Sequence, residues 1–116
     1  MAALNRELGV EFEPAGPHHQ VGRAPDGVEL DLVGIPVEQA VLSVPTGQPE
    51  VGYPYLAHLR DLLHGPARVY DWIADGLTCR SIPGGRCETS LSQGNIAARF
   101  SDGGPGYVVV SLSRRP

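Results

Sequence analysis

The densest gathering of residues able to move protons is Tyr53-x-Tyr55, followed by His58, Arg60 and Asp61. Tyr, His and Asp side chains serve acid–base chemistry when they converge in one pocket, so Tyr55, His58 and Asp61 are the catalytic candidates. On a helix the same residues read more simply, as aromatic rings covering a core and charges facing water. His58 and His64 are six residues apart, which is not the four-residue spacing that places two ligands on one helical face. His64 instead suits the last helical turn, where a cation complements the dipole. His18-His19 lies in a Pro/Gly loop, and adjacent strand residues point to opposite faces, so one of them at most serves as a catalytic or pH-sensing group. Asp71 and Asp75 are four apart with Trp72 between them. Paired carboxylates can hold a cation or act as acid and base, but no third acidic ligand accompanies them, and a solvated face beside a core Trp is the favoured reading.

A second constellation favours binding over catalysis. Arg80, Arg86 and Glu88 flank Pro83-Gly84-Gly85, and Arg99 falls on a neighbouring strand. Turn N–H groups together with guanidinium groups can hold a phosphate or carboxylate. With Trp72 these residues are the ligand-binding candidates for a small anionic ligand. Cys79 and Cys87 enclose seven residues, which is not a zinc spacing. If the segment is a hairpin turning at Pro83-Gly84, a cross-strand disulfide is geometrically allowed, whereas a cytosolic setting favours two free thiols. No metal motif, nucleotide-binding loop, dinucleotide fingerprint or nucleophile elbow is present, and no cofactor is implied.

These side chains need elements to hold them. Ala2–Leu8 reads as a short helix stopped by Gly9. Val10–Glu13, His18–Arg23, Val28–Leu32 and Ala40–Val44 read as strands separated by Pro/Gly turns. From Pro54 a helix carries Tyr55, Leu56, Leu59, Leu62 and Leu63 as an apolar stripe, and Gly65-Pro66 ends it. Ala67–Asp75 is a second short helix with Val69, Trp72 and Ile73 on one face, ended by Gly76. Leu77–Ile82, Arg86–Leu91, Asn95–Phe100 and Tyr107–Ser113 complete a strand-rich end. The order predicts one α+β domain over residues 1–116: an antiparallel sheet of about six to eight short strands, with a central pair of short helices packed on one face.

Pieces of this pattern resemble a known family. Leu4–Gly9, Gly27–Val33, Ala40–Gly47 and Tyr55–His64 are similar to the first helix, strand run, Pro/Gly turn and Leu-rich helix of the small acidic chaperones of type III secretion. That resemblance covers about the first half of the chain and implies a partner-binding role. That family closes with a helix, while this chain has the strand pattern Tyr107–Ser113. A Glu among Arg residues on a C-terminal sheet is also similar to the small bacterial ribonucleases, which place a general-acid His on that sheet. Here no His follows His64.

Composition bounds the function. Gly (15) and Pro (11) supply 26 of 116 residues, well above the roughly 12 % of average usage, and they fall between the alternating segments. All nine cationic side chains are Arg, as expected of a GC-rich bacterial genome. A net charge of −4 argues against nucleic acid, which needs a basic stripe. Residues 1–58 carry a net −6 and residues 59–116 a net +2. No apolar run reaches the ~18 residues of a membrane span, and no leader-like apolar stretch opens the chain, so cytoplasmic residence without membrane contact is expected. The leading expectation is a non-catalytic protein-binding accessory factor, chaperone-like or immunity-like, using the acidic N-terminal half and the sheet surface, with a homodimer in view. The alternative is a small-molecule enzyme or anion binder with a pocket between helices and sheet, lined by Tyr55, His58, Trp72 and the Arg cluster.

Overall fold

The computed structural model describes residues 2–80, 86–102 and 106–114. The chain order is α1 (Ala2–Leu8), β1 (Glu11–Gly16), β2 (His19–Arg23), β3 (Glu29–Val33), β4 (Gln39–Pro45), a 3-10 turn (Pro49–Val51), α2 (Tyr53–Leu63), α3 (Ala67–Arg80), β5 (Ser90–Gln93), β6 (Ile96–Asp102) and β7 (Tyr107–Arg114). The seven strands form one sheet in the order β1-β2-β3-β4-β7-β6-β5. Every pairing is antiparallel. The α+β architecture therefore matches the sequence expectation, with a strand count inside the predicted range.

Alternation along the strands decides which side of the sheet is buried. One row across the sheet runs Leu30, Leu42, Val110 and Phe100, and the next runs Leu32, Ala40, Leu112, Ala98 and Leu91. All of these are buried except Leu91, which is partly buried against them. The helices cover this side with Tyr55, Leu56, Leu59 and Leu63 from α2 and Val69, Tyr70, Ile73 and Leu77 from α3. Leu4 of α1 adds a further buried side chain. The other side of the sheet faces solvent.

Gly65-Pro66 does end α2. Gly65 has φ +97°, and a Cβ there would lie 2.5 Å from Cγ1 of Ile96, so glycine permits both the turn and the contact with β6. The last carbonyls of α2 are taken up from outside the helix. Arg114 Nη2 donates to the carbonyls of Leu62 (3.3 Å) and Leu63 (3.1 Å), and the Tyr70 hydroxyl donates to that of His64 at 2.7 Å. His64 itself caps the helix at φ +63°.

Two expectations fail after α2. The second central helix does not stop at Gly76; α3 continues to Arg80, so residues 77–80 are helical and not a strand. Residues 86–89 have no regular structure, and the strand that follows is β5. The Pro83-Gly84-Gly85 turn lies outside the described residues. The reason for the longer helix is spatial. At Gly76 α3 lies directly against the sheet: a Cβ there would sit 2.4 Å from the Phe100 ring. Glycine inside a helix costs about 0.5–1 kcal/mol. Full burial of Ile73 and near-full burial of Leu77 on either side contributes roughly 1.5–3 kcal/mol each, so the helix persists.

Gly76→Ala tests this. Alanine raises helix propensity by about 1 kcal/mol, but forcing a methyl into a filled core costs about 1–3 kcal/mol. We expect a lower urea midpoint for the variant; a raised midpoint would show that α3 has room to move off Phe100.

Candidate functional site

The three catalytic candidates on α2 point to three different neighbours. Tyr55 is fully buried, and its hydroxyl donates to the Asp26 carboxylate at 3.2 and 3.0 Å. Asp26 also accepts from the Val28 N–H at 3.0 Å, which fixes the turn between β2 and β3. Burial, helped by the Asp26 carboxylate, raises the Tyr55 hydroxyl well above its ordinary pKa. His58 Nε2 lies 2.8 Å from Glu7 Oε2 of α1. Asp61 is on the exposed side of α2. Tyr53 hydrogen-bonds Thr78, joining α2 to α3. Tyr55 and His58 thus act as tethers between elements, and the three side chains are not brought to a shared pocket.

The anion-binding candidates are partly gathered. Trp72 Nε1–H donates to Glu88 Oε2 at 3.1 Å, and Arg80 Nη2 donates to the Glu88 carbonyl at 2.8 Å. The Arg80 guanidinium sits 4.0 Å from the centroid of Phe100, within cation–π range. The Trp72 and Phe100 rings are 5.2 Å apart and tilted by 50°. Beside them a cleft of about 220 Å³ is lined by Trp72, Asp75, Cys79, Arg86, Cys87 and Glu88, among others. Arg99 is not part of it. It alternates with buried Ala98 and Phe100 and so projects from the opposite side of the sheet, paired with Ser90 and Ser111. The cleft thus offers Arg86 alongside two carboxylates, Asp75 and Glu88, while Arg80 is occupied in packing. Asp71 and Asp75 are both exposed. Among the described residues no three His, Cys, Asp or Glu side chains gather to hold a metal ion.

Cys79 and Cys87 form a disulfide, which overturns the expectation of two free thiols. It does not cross a hairpin. It ties the last turn of α3 to the segment entering β5, the same segment that Trp72 and Arg80 hold through Glu88.

The third grouping was visible in the sequence only as an acidic half. Strand register turns it into a surface. On the solvent side of the sheet Glu11 pairs with Arg23 and Arg23 with Glu29, while Glu13 pairs with Val21 and Val21 with Asp31. On β1–β3 four carboxylates therefore share the solvent face with one Arg. Arg23 Nε lies 3.5 Å from Glu29 Oε1, and His19 Nε2 lies 3.9 Å from Asp31 Oδ1. A shallow hollow of about 360 Å³ on this wing is lined by Glu11, Glu13, Pro14, Ala15, Val21 and Arg23. The signal that could have found it was the odd–even placement of acids in Glu11-Phe12-Glu13 and Glu29-Leu30-Asp31, which puts all four on one side once the strands pair.

No family model, curated protein or solved structure matches this chain. No helix among the described residues is long and apolar enough to cross a membrane.

Two outcomes follow from this geometry. Burial pushes Tyr70 up to about 12 from 10.0, with Arg60 and Arg114 pulling the other way. Its folded value lies above the unfolded one, so the associated stability is complete below pH 10 and disappears as pH rises through about 12. Tyr70→Phe should lose less stability over that alkaline window than the parent protein; an identical slope would mean that folding leaves the Tyr70 pKa at its unfolded value. Separately, the disulfide closes a short loop, with a sequence separation of 8. By loop entropy it contributes about 2–3 kcal/mol. Paired Cys79→Ser and Cys87→Ser substitutions should lower the denaturation midpoint accordingly and alter Trp72 fluorescence; unchanged emission would show that Glu88 stays docked without the bridge.

Proposed function

We propose that this chain is a non-catalytic protein-binding accessory factor, chaperone-like or immunity-like, whose docking surface is the solvent face of β1–β3. The observation that carries the reading is the placement of Glu11, Glu13, Glu29 and Asp31 on one side of three adjacent strands, around a shallow hollow. Such a face is complementary to an extended basic segment of a partner protein, and like-charged surfaces are repelled from it. Val21 supplies an apolar floor between the carboxylates. The small-molecule alternative has less support, because Tyr55, His58 and Asp61 diverge and Arg99 projects away from the Trp72 cleft. Cytoplasmic residence belongs to the same proposal. The Cys79–Cys87 bridge lies near the β5 edge, away from this face, and it is the one feature among the described residues that speaks for an oxidising compartment instead.

The experiment measures binding of a labelled peptide that alternates Arg and Val, with its Glu/Val counterpart as control. We expect saturable binding of the basic peptide that weakens with salt, and about a tenfold loss, equal to 1.4 kcal/mol, in the Glu13→Gln, Asp31→Asn double variant. Equal binding of both peptides, or full affinity in the double variant, would sink the proposal.

A further inference from the structure

The two edges of the sheet are built differently. An edge strand presents unpaired N–H and C=O groups and is a template for another chain unless something blunts it. At one edge β1 carries Pro14, a break in register between Pro14 and Gly16, and the exposed charges of Glu11 and Glu13. All three are devices that discourage pairing. At the other edge β5 reads Ser90-Leu91-Ser92-Gln93, with neither charge nor proline. Among the described residues it pairs only with β6.

The pattern of β5 selects its partner. The Phe100 N–H donates to the Thr89 carbonyl at 2.8 Å. In an antiparallel ladder the inward and outward groups alternate, so Thr89, Leu91 and Gln93 face β6, and Ser90 and Ser92 direct their N–H and C=O groups outward. The run Thr89-Ser90-Leu91-Ser92-Gln93 is close to palindromic about Leu91. We propose that β5 pairs antiparallel with β5 of a second copy of this chain, through a two-fold axis at Leu91.

This register is consistent at each level. Ser90 of one protomer faces Ser92 of its partner, so both outward pairs of backbone groups are satisfied on each side of the axis. Leu91, half-buried against the core, meets its own copy on the helix-covered side and extends the apolar layer across the junction. On the solvent side Arg99 adjoins Ser90. The two Arg99 side chains of the dimer then lie in different rows and at least three strand spacings apart, about 14 Å, beyond the ~8–10 Å screening length. Self-pairing at β1 would instead bring Glu11 and Glu13 against their own copies. An interface of four backbone hydrogen bonds and one Leu pair belongs to the small, transient class.

The test is sedimentation of the full chain from micromolar to millimolar concentration, with three variants. The parent protein should show a monomer–dimer equilibrium. Ser90→Lys with Ser92→Lys places like charges opposite one another and should weaken dimerisation at least about tenfold, whereas Ser90→Asp with Ser92→Lys pairs opposite charges and should retain it. Ser92→Pro removes only an outward N–H, which the monomer does not use, and should also give monomers with an unchanged denaturation midpoint. A parent protein that stays monomeric throughout overturns the proposal and leaves this edge to an extended segment of another protein. A dimer indifferent to all three variants overturns it as well. The peptide-binding experiment on the β1–β3 face reads a different surface, so either proposal can fail alone.

Discussion

The pairing of β4 with β7 is the contact on which the rest of the molecule depends. It aligns Gln39 through Pro45 against Ser113 through Tyr107, and it is the only strand pairing among the described residues that joins the two halves of the chain. Each half is otherwise a local meander: β1–β4 on one side, β5–β7 on the other. Neither meander has a covered face by itself. The joint sheet does, because α2 and α3 lie between β4 and β5 in sequence and fold back across the seam. Leu42 and Val110, facing each other at the centre, are fully buried beneath the helices. The loop closed by this pairing is long, and its entropic cost must be met before the central rows of side chains interlock. Arg114, at the end of the same strand, then serves the carbonyls at the end of α2, so strand pairing and helix docking reinforce each other.

Much of this was legible in the sequence, and the parts that were not have identifiable reasons. Strands with strict alternation, such as Glu29–Val33, appear nearly where their pattern places them, because register and burial report the same choice. The Leu-rich stripe of α2 and its Gly65-Pro66 stop are equally local signals. Gly76 misled because glycine marks a helix end when the constraint is backbone conformation, and a helix interior when the constraint is close approach. Only the position of Phe100 distinguishes the two. With α3 lengthened, the hairpin expected around Cys79 and Cys87 disappears, and the disulfide ties the helix end to the irregular segment that enters β5.

The candidate sites divide along the same line. Clusters read from proximity in sequence came apart: α2 rotates Tyr55, His58 and Asp61 toward a turn, a helix and solvent. A strand likewise sends Arg99 to the side opposite Arg80. The acidic face came together because it rests on alternation within two strands and on the pairing of three. Sequence neighbours on a regular element are dispersed by that element's period, and residues of like parity on paired strands are gathered by it.

The charge imbalance between the halves of the chain therefore becomes a gradient in space. Strand order places β1 and β5 at opposite edges, with the acids of β1–β3 in one wing and Arg86 and Arg99 in the other. On the proposed reading, a field of that shape would orient an approaching basic segment toward the acidic wing before contact. A two-fold axis at β5 would leave both acidic wings at the far ends of one continuous sheet. Two equivalent docking faces on a shared scaffold bind a partner with repeated basic segments more tightly than either face alone, provided the partner spans the distance between them. Under these two proposals the edges are complementary: β5 would join the copies, and β1, whose Pro14 and exposed acids discourage pairing, would leave the proposed docking faces free at the ends.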